Sequence, residues 1–310
     1  MEQLSGNLLF VAFFMYFAAT VAYTVAVTGK KWRNKAGEMS GNRWGVFGYI
    51  FAIIGSLFSI GYFITRWIAA GHAPVSNMYE YMTFFGIAIG IAFVIIYAIY
   101  RYDVLGMFTM PVVMLIIAYA SMFPGEITPL IPALQSNWLK LHVITTAVSQ
   151  GILSIGFAAG LVYLIRTLDF TKTNKRTRAL EFIMYSLVSL LSYILVGSLF
   201  SAFDYEAKFS YVNERGVEAE MVYRFPPLIG PNEGELLTEG SMTPLFYVPA
   251  NIVANDLNTV VWSLLSGLVF YWLLRLLLRK RIGAALQPLL KGVSPQVVDE
   301  ISYRAIVIGF

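Results

Sequence analysis

Charged residues divide the chain into seven long uncharged stretches, at 3–29, 44–65, 81–100, 104–125, 141–165, 182–203 and 257–274. A helix rises 1.5 Å per residue and needs about 20 mostly apolar residues to cross roughly 30 Å of hydrocarbon. The stretches contain 27, 22, 20, 22, 25, 22 and 18 residues, so each predicts a membrane span. Inside lipid every backbone N–H and C=O must be paired within the segment, and none of the stretches alternates as a barrel strand does. The pattern therefore predicts an all-α integral membrane protein, a polytopic helical bundle. Small residues recur within the runs, as in Gly86-Ile-Ala-Ile-Gly90 and Ser154-Ile-Gly-Phe-Ala-Ala-Gly160, where helices can approach closely.

Between the runs the chain divides into a six-span bundle over 1–203, an extracytoplasmic cap over 204–256, a seventh span over 257–278 and an amphipathic segment over 279–304. At 305–310 a further apolar run begins, Ala305-Ile-Val-Ile-Gly-Phe310, which reads as the start of a truncated eighth span. The cap contains strand-like pieces, Lys208-Phe-Ser-Tyr-Val and Met221-Val-Tyr-Arg-Phe, and for 240–255 a helix at the interface is expected despite Pro244 and Pro249. In the amphipathic segment, Ile282 to Leu290 and Pro295 to Ile301 read as short surface helices. The first run follows Glu2 instead of a basic start and is too long for a signal peptide, so it reads as a permanent anchor.

Charge adds an orientation. Seventeen of the 22 Lys and Arg fall in alternate connections, and five, including Arg66, Lys140 and Arg215, fall in the others. Basic loops stay on the cytoplasmic side, which predicts the N-terminus outside. The net charge of +4 is thus topological, and a nucleic-acid partner is not expected. With 58% hydrophobic and 13% charged residues the partner is membrane lipid. The chain has no cysteine, which excludes a disulfide framework, a thiolate metal site, a CxxC redox pair and covalent attachment of haem to the chain itself.

The candidates for chemistry are few. Two histidines occur, His72 and His142, both at outward ends of predicted spans. His142 begins the fifth span with Trp138 one turn earlier on the same face; an imidazole there can ligate haem iron or simply sit at the interface beside the tryptophan. His72 lies in Gly71-His-Ala-Pro-Val-Ser-Asn-Met-Tyr-Glu80, which reads as a cap-forming turn: Ser76 or Asn77 caps the third span and Glu80 favours its dipole. Glu80, Glu126 and Asp204 show no metal-ligand or paired-carboxylate spacing. Thr145, Thr146, Ser149 and Gln150 in the fifth span are expected to bond to a neighbouring helix or to carbonyls one turn back.

Three segments carry a resemblance. Gly71 to Glu80, Trp138-Leu-Lys-Leu-His-Val143 and Glu300-Ile-Ser-Tyr-Arg-Ala-Ile-Val-Ile-Gly-Phe310 together resemble the CcsA/ResC family of System II cytochrome c biogenesis, and the similarity in layout covers the whole chain. The long segment 204–256 looks like the extended form of Gram-positive bacteria, which implies a multi-pass protein of the bacterial cell membrane. The resemblance implies a subunit of a cytochrome c haem lyase that presents haem b, as a transported and ligated substrate, at the outer face for thioether attachment to apocytochrome c. It implies a CcsB/ResB-type membrane partner and a thioredoxin-like thiol reductant. His142 matches the first of the family's two external haem ligands, and Trp138 and His72 are the other haem-site candidates; no catalytic residue is identified. The family's tryptophan-rich WGxxWxWDP segment has no counterpart among Trp32, Trp44, Trp67, Trp138, Trp262 and Trp272, and its second external histidine and a further intramembrane histidine are likewise missing. Two other readings stay open: a substrate permease, and a structural subunit of a larger membrane complex.

Overall fold

The computed structural model describes residues 1–33, 43–127, 135–213, 216–232, 234–238 and 240–310, with the backbone alone over 30–33. The basic stretch around Lys35, part of the 124–140 connection, and Arg215 in the cap lie outside the described residues. Among the described residues seven helices are long and apolar enough to cross a membrane: α1 (Glu2–Arg33), α2 (Arg43–Ala70), α3 (Met78–Tyr100), α4 (Asp103–Ala120), α5 (Asn137–Thr167), α6 (Lys175–Ala202) and α7 (Ala254–Leu278). The protein is a polytopic helical membrane protein. Helix boundaries follow local chemistry. Asn77 caps α3, its side-chain oxygen accepting from the Glu80 N–H at 2.8 Å. Arg101 ends α3 in the left-handed region, with φ of 48°, and returns its N–H to Tyr97 O. Asn174 and Thr177 form a reciprocal capping box at the start of α6.

The chain forms two compact units, residues 1–172 with 284–310, and residues 173–283. In the first, α1 to α5 pack with α9 (Pro295–Gly309), and the close approach is made by small residues, Gly86, Gly90 and Gly156 of the runs singled out above and also Gly151. Gly86 lies against Ile117 of α4, Gly90 leaves room for the Tyr16 hydroxyl, and Gly151 of α5 lies against the backbone of Ala88 and the amide of Ile89. Tyr16, fully buried, shares hydrogen bonds with Ser56 and Ser59 at 3.2 and 3.3 Å, so the phenol brings its own partners into the apolar core. At the far end of α3, the buried Tyr97 donates to the buried Asp103 at 2.7 Å.

The C-terminal segment differs from the expected surface helix followed by a new span. Residues 295–309 form one continuous helix that runs antiparallel along the second half of α5: Ser302 donates to Gly156 O at 2.9 Å, Ala305 packs on Gly156, and Ser149 donates to Gly309 O. Val298, Ile301, Ala305 and Gly309 are buried at helical spacing, so the apolar face begun before residue 301 continues without a break. The expected short helix at Ile282 is α8 (Ile282–Leu286), followed by a 3-10 turn over Gln287–Leu290.

In the second unit, α6 and α7 pack together and carry the sheets between them in sequence. β1 (Ala207–Val212) pairs antiparallel with β2 (Glu218–Tyr223), Phe209 opposite Met221, and with β4 (Glu235–Leu236) on its other side. These strands match the strand-like pieces read from the sequence. The interfacial helix expected over 240–255 is absent. Pro244 and Pro249 confine that stretch to extended backbone, and β5 (Phe246–Val248) pairs in parallel with β3 (Ile229–Pro231) before α7 begins. The fully buried Asn258 of α7 accepts from the Leu228 and Ile229 N–H groups at 2.8 and 3.2 Å and donates to Pro226 O, and Trp262 donates to the same carbonyl at 2.7 Å. Burial pushes the phenol of Tyr223, at the end of β2, above its ordinary range.

A Cβ at Gly151 would stand 2.9 Å from the Ala88 carbonyl carbon, whereas one at Gly6 meets nothing within 4 Å. Gly151→Ala should therefore destabilise the bundle by about 1–3 kcal/mol while Gly6→Ala changes little, read as thermal unfolding in detergent; equal melting of the two variants would refute this register.

Candidate functional site

The α2–α3 turn is held by a charge pair that the sequence pattern did not single out. Arg66, in the last turns of α2, donates from Nε to Glu80 Oε1 at 2.9 Å, and the two residues are 3% and 1% exposed. The other carboxylate oxygen accepts from the Ser76 N–H at 3.0 Å and the Ser76 hydroxyl at 2.7 Å. The guanidinium also donates to Gly125 O at 2.7 Å and lies over the Tyr79 ring, 5.1 Å from its centroid. Asn77, besides capping α3, donates to Glu126 O at 3.4 Å. One arginine thus ties α2, the start of α3 and the segment after α4 together, with each charge offset by several hydrogen bonds. Glu80, read above as a dipole-favouring acid, is the central acceptor of this network. The signal was present: Arg66 closes one uncharged run and Glu80 opens the next, so opposite charges face each other across the turn.

His72 sits half-buried in the same turn with Nδ1 3.1 Å from Ala73 O. His142 and Trp138 are on α5, one turn apart, and both are exposed, Trp138 by 82%. Gly151 beside Ala88 sets the register between α3 and α5. The helices run parallel, because the end of α5 meets the 287–291 segment through Leu168 and Arg166, and Ser294 just beyond it donates to Tyr102 at the far end of α3. Nine residues before Gly151, at 1.5 Å each, put His142 about 14 Å along α5, level with the first turn of α3. Both histidine-bearing elements and the Arg66–Glu80 network therefore occupy one end of this unit. The polar residues below His142 are spoken for: Thr145 donates to Leu141 O at 2.9 Å, Ser149 to Gly309 O, and Tyr81 to Gln150 at 2.8 Å. Among the described residues no group of three His, Asp or Glu can hold a bare metal ion. An iron carried in a macrocycle needs only axial ligands, which an exposed imidazole beside an indole can supply.

Removing one partner of a buried pair leaves the other charge uncompensated. Glu80→Ala should cost about 3–5 kcal/mol in thermal unfolding, and the double variant Arg66→Met/Glu80→Leu should recover part of that loss; a double variant no more stable than the single one would show that the pair is not the coupling unit.

A sequence model of the cytochrome C assembly protein family matches residues 75–203. That stretch contains Ser76, Asn77, Glu80, Trp138 and His142, and begins after Arg66 and His72. Among curated proteins, the chain is similar to the cytochrome c biogenesis protein CcsA of Chlorella vulgaris, 34% identical over 38% of this chain and 39% of the relative. It is 30% identical to that of Trieres chinensis over 53% of this chain and 50% of the relative. With that of Microcystis aeruginosa it shares 41% identity over 33% of this chain and 32% of the relative. The matched stretch thus spans between 32% and 50% of the length of these relatives. Over residues 75–203, with the capped turn, the exposed imidazole and the helices that position them all inside the match, the chain is similar to the cytochrome C assembly protein family.

Proposed function

We propose that this chain is the membrane subunit of a haem-delivery and ligation complex for c-type cytochromes, presenting haem b at the outer face of a bacterial cell membrane of the Gram-positive type. The observation that carries the reading is the exposed pair Trp138 and His142 on α5, at the same end of the unit as the braced 71–80 turn. The match of residues 75–203 to the cytochrome C assembly protein family and the names of the CcsA relatives support it. Haem here is cargo. His142 ligates its iron, Trp138 offers an indole face to the porphyrin, and His72 is the second candidate from the adjoining turn.

The chemistry itself belongs to the haem and the apocytochrome. Each substrate thiol adds across a haem vinyl group, sulfur bonding to one carbon and hydrogen to the other, so no net oxidant or reductant is consumed. The thiols must arrive reduced, which assigns a thioredoxin-like reductant as a partner. A CcsB/ResB-type membrane protein completes the complex. The absence of cysteine from this chain fits that division, since every sulfur comes from the substrate. What this chain contributes is position: an imidazole fixed on a long helix, with the neighbouring turn locked by Arg66 and Glu80 so that the groups around the cargo do not drift. The excess of basic residues in alternate connections supports an outward orientation for this end.

Protein purified from membranes should show a Soret band. His142→Ala should reduce it by more than half with the helical content unchanged, and His72→Ala should reduce it less. An unchanged spectrum in His142→Ala removes that residue from the site, and cells lacking the gene that still mature their c-type cytochromes would overturn the function.

A further inference from the structure

The end of the first unit opposite Trp138 and His142 contains a second place for a ligand. A cavity of about 310 Å³ opens between the α3–α4 turn and the 288–293 segment. Its floor is apolar, with Val27, Val104 and Val293 nearly sealed from water and Leu289 beside them. Its rim is cationic. Arg101 and Lys291 line it, both are exposed, and neither pairs with a carboxylate among the described residues. Among the described residues the one acid in the lining is Asp103, which is buried and accepts from the Tyr97 hydroxyl, so the described rim keeps a net positive charge.

The walls are braced. Ser294 donates its N–H to Tyr102 Oη at 2.8 Å, Gln287 donates to Leu168 O at 2.8 Å, and Arg166 reaches Lys291 O at 3.4 Å. Arg101 holds a left-handed conformation with φ of 48°, where glycine is the unstrained choice, so a cation stands at a position the backbone alone would give to glycine. The depth is also informative. The apolar stretch of α3 ends at Tyr100 and that of α4 begins after Asp103, so the rim lies where hydrocarbon gives way to the headgroup layer.

We propose that this cavity binds the phosphate-bearing head of an anionic phospholipid, the phosphate between Arg101 and Lys291 and the glycerol backbone against the valines. A free phosphate ion would satisfy the rim but leave the apolar floor facing water. A zwitterionic lipid would bring its own cation to a rim that already carries two. The inference does not rest on haem binding.

Native mass spectrometry of the protein released from mixed phosphatidylcholine and phosphatidylglycerol membranes tests it. Wild type and the control Lys208→Gln, a charge removed from the second unit, should retain phosphatidylglycerol, and Arg101→Gln/Lys291→Gln should hold it about tenfold more weakly or worse. Gly292→Leu fills the cavity while leaving both charges, and a Cβ at that position meets nothing within 4 Å, so this variant keeps the fold and should also release the lipid. Equal retention by all variants, or phosphatidylcholine held as firmly, would overturn the proposal. So would displacement by inorganic phosphate, which would make this a site for a small soluble anion only. Should the double charge variant fail to fold, Gly292→Leu decides.

Discussion

A guanidinium and a carboxylate that reach almost no water fix the end of the bundle on which the functional reading depends. Placing Arg66 and Glu80 there is costly unless every polar atom finds a partner. The surrounding chain supplies them: Ser76 through backbone and hydroxyl, Gly125 through its carbonyl, Tyr79 through its ring. The result is specificity of arrangement, because this spacing of the turn satisfies all of these at once. α2, α3 and the chain leaving α4 are indexed to one another at the level where α5 exposes its imidazole.

The rest of the first unit follows the same economy of polar groups within an apolar setting. Tyr16 enters the core with two serines, Tyr97 with an aspartate, and glycines stand wherever an aromatic ring or a neighbouring backbone must come close. With lipid on the outside there is little hydrophobic gain in bringing helices together, so the fit of small residues against large ones and the pairing of buried hydroxyls provide the specificity. α5 shows this most plainly: Gly151 accommodates α3 and Gly156 accommodates α9, five residues apart on different faces of one helix.

Much of this was legible in the residues. Runs without charge gave seven spans because backbone pairing in hydrocarbon leaves a chain few options, and the Gly and Ser positions in the third and fifth runs are the contact positions found. The Asn77 cap and the strands around Lys208 and Met221 were legible from local chemistry. What was not legible depended on neighbours distant in sequence. The stretch 240–255 became a strand because β3 offers it an edge, and 295–309 became one helix because α5 gives it a continuous face. The role of Glu80 was hidden for the same reason. A carboxylate in a first turn looks like a dipole partner until the arginine fourteen residues earlier is seen folded onto it.

The antiparallel docking of α9 on α5 sets an order of assembly. Residue 149 meets residue 309 only after the whole second unit, residues 173–283, has been synthesised between them. Until then the glycine side of α5 has no cover from the segment that will shield it, and loop-closure entropy gives no early help across such a distance. α9 therefore zips onto a helix made about 150 residues earlier, and the small-residue face of α5 stays unpaired with it for all of that synthesis.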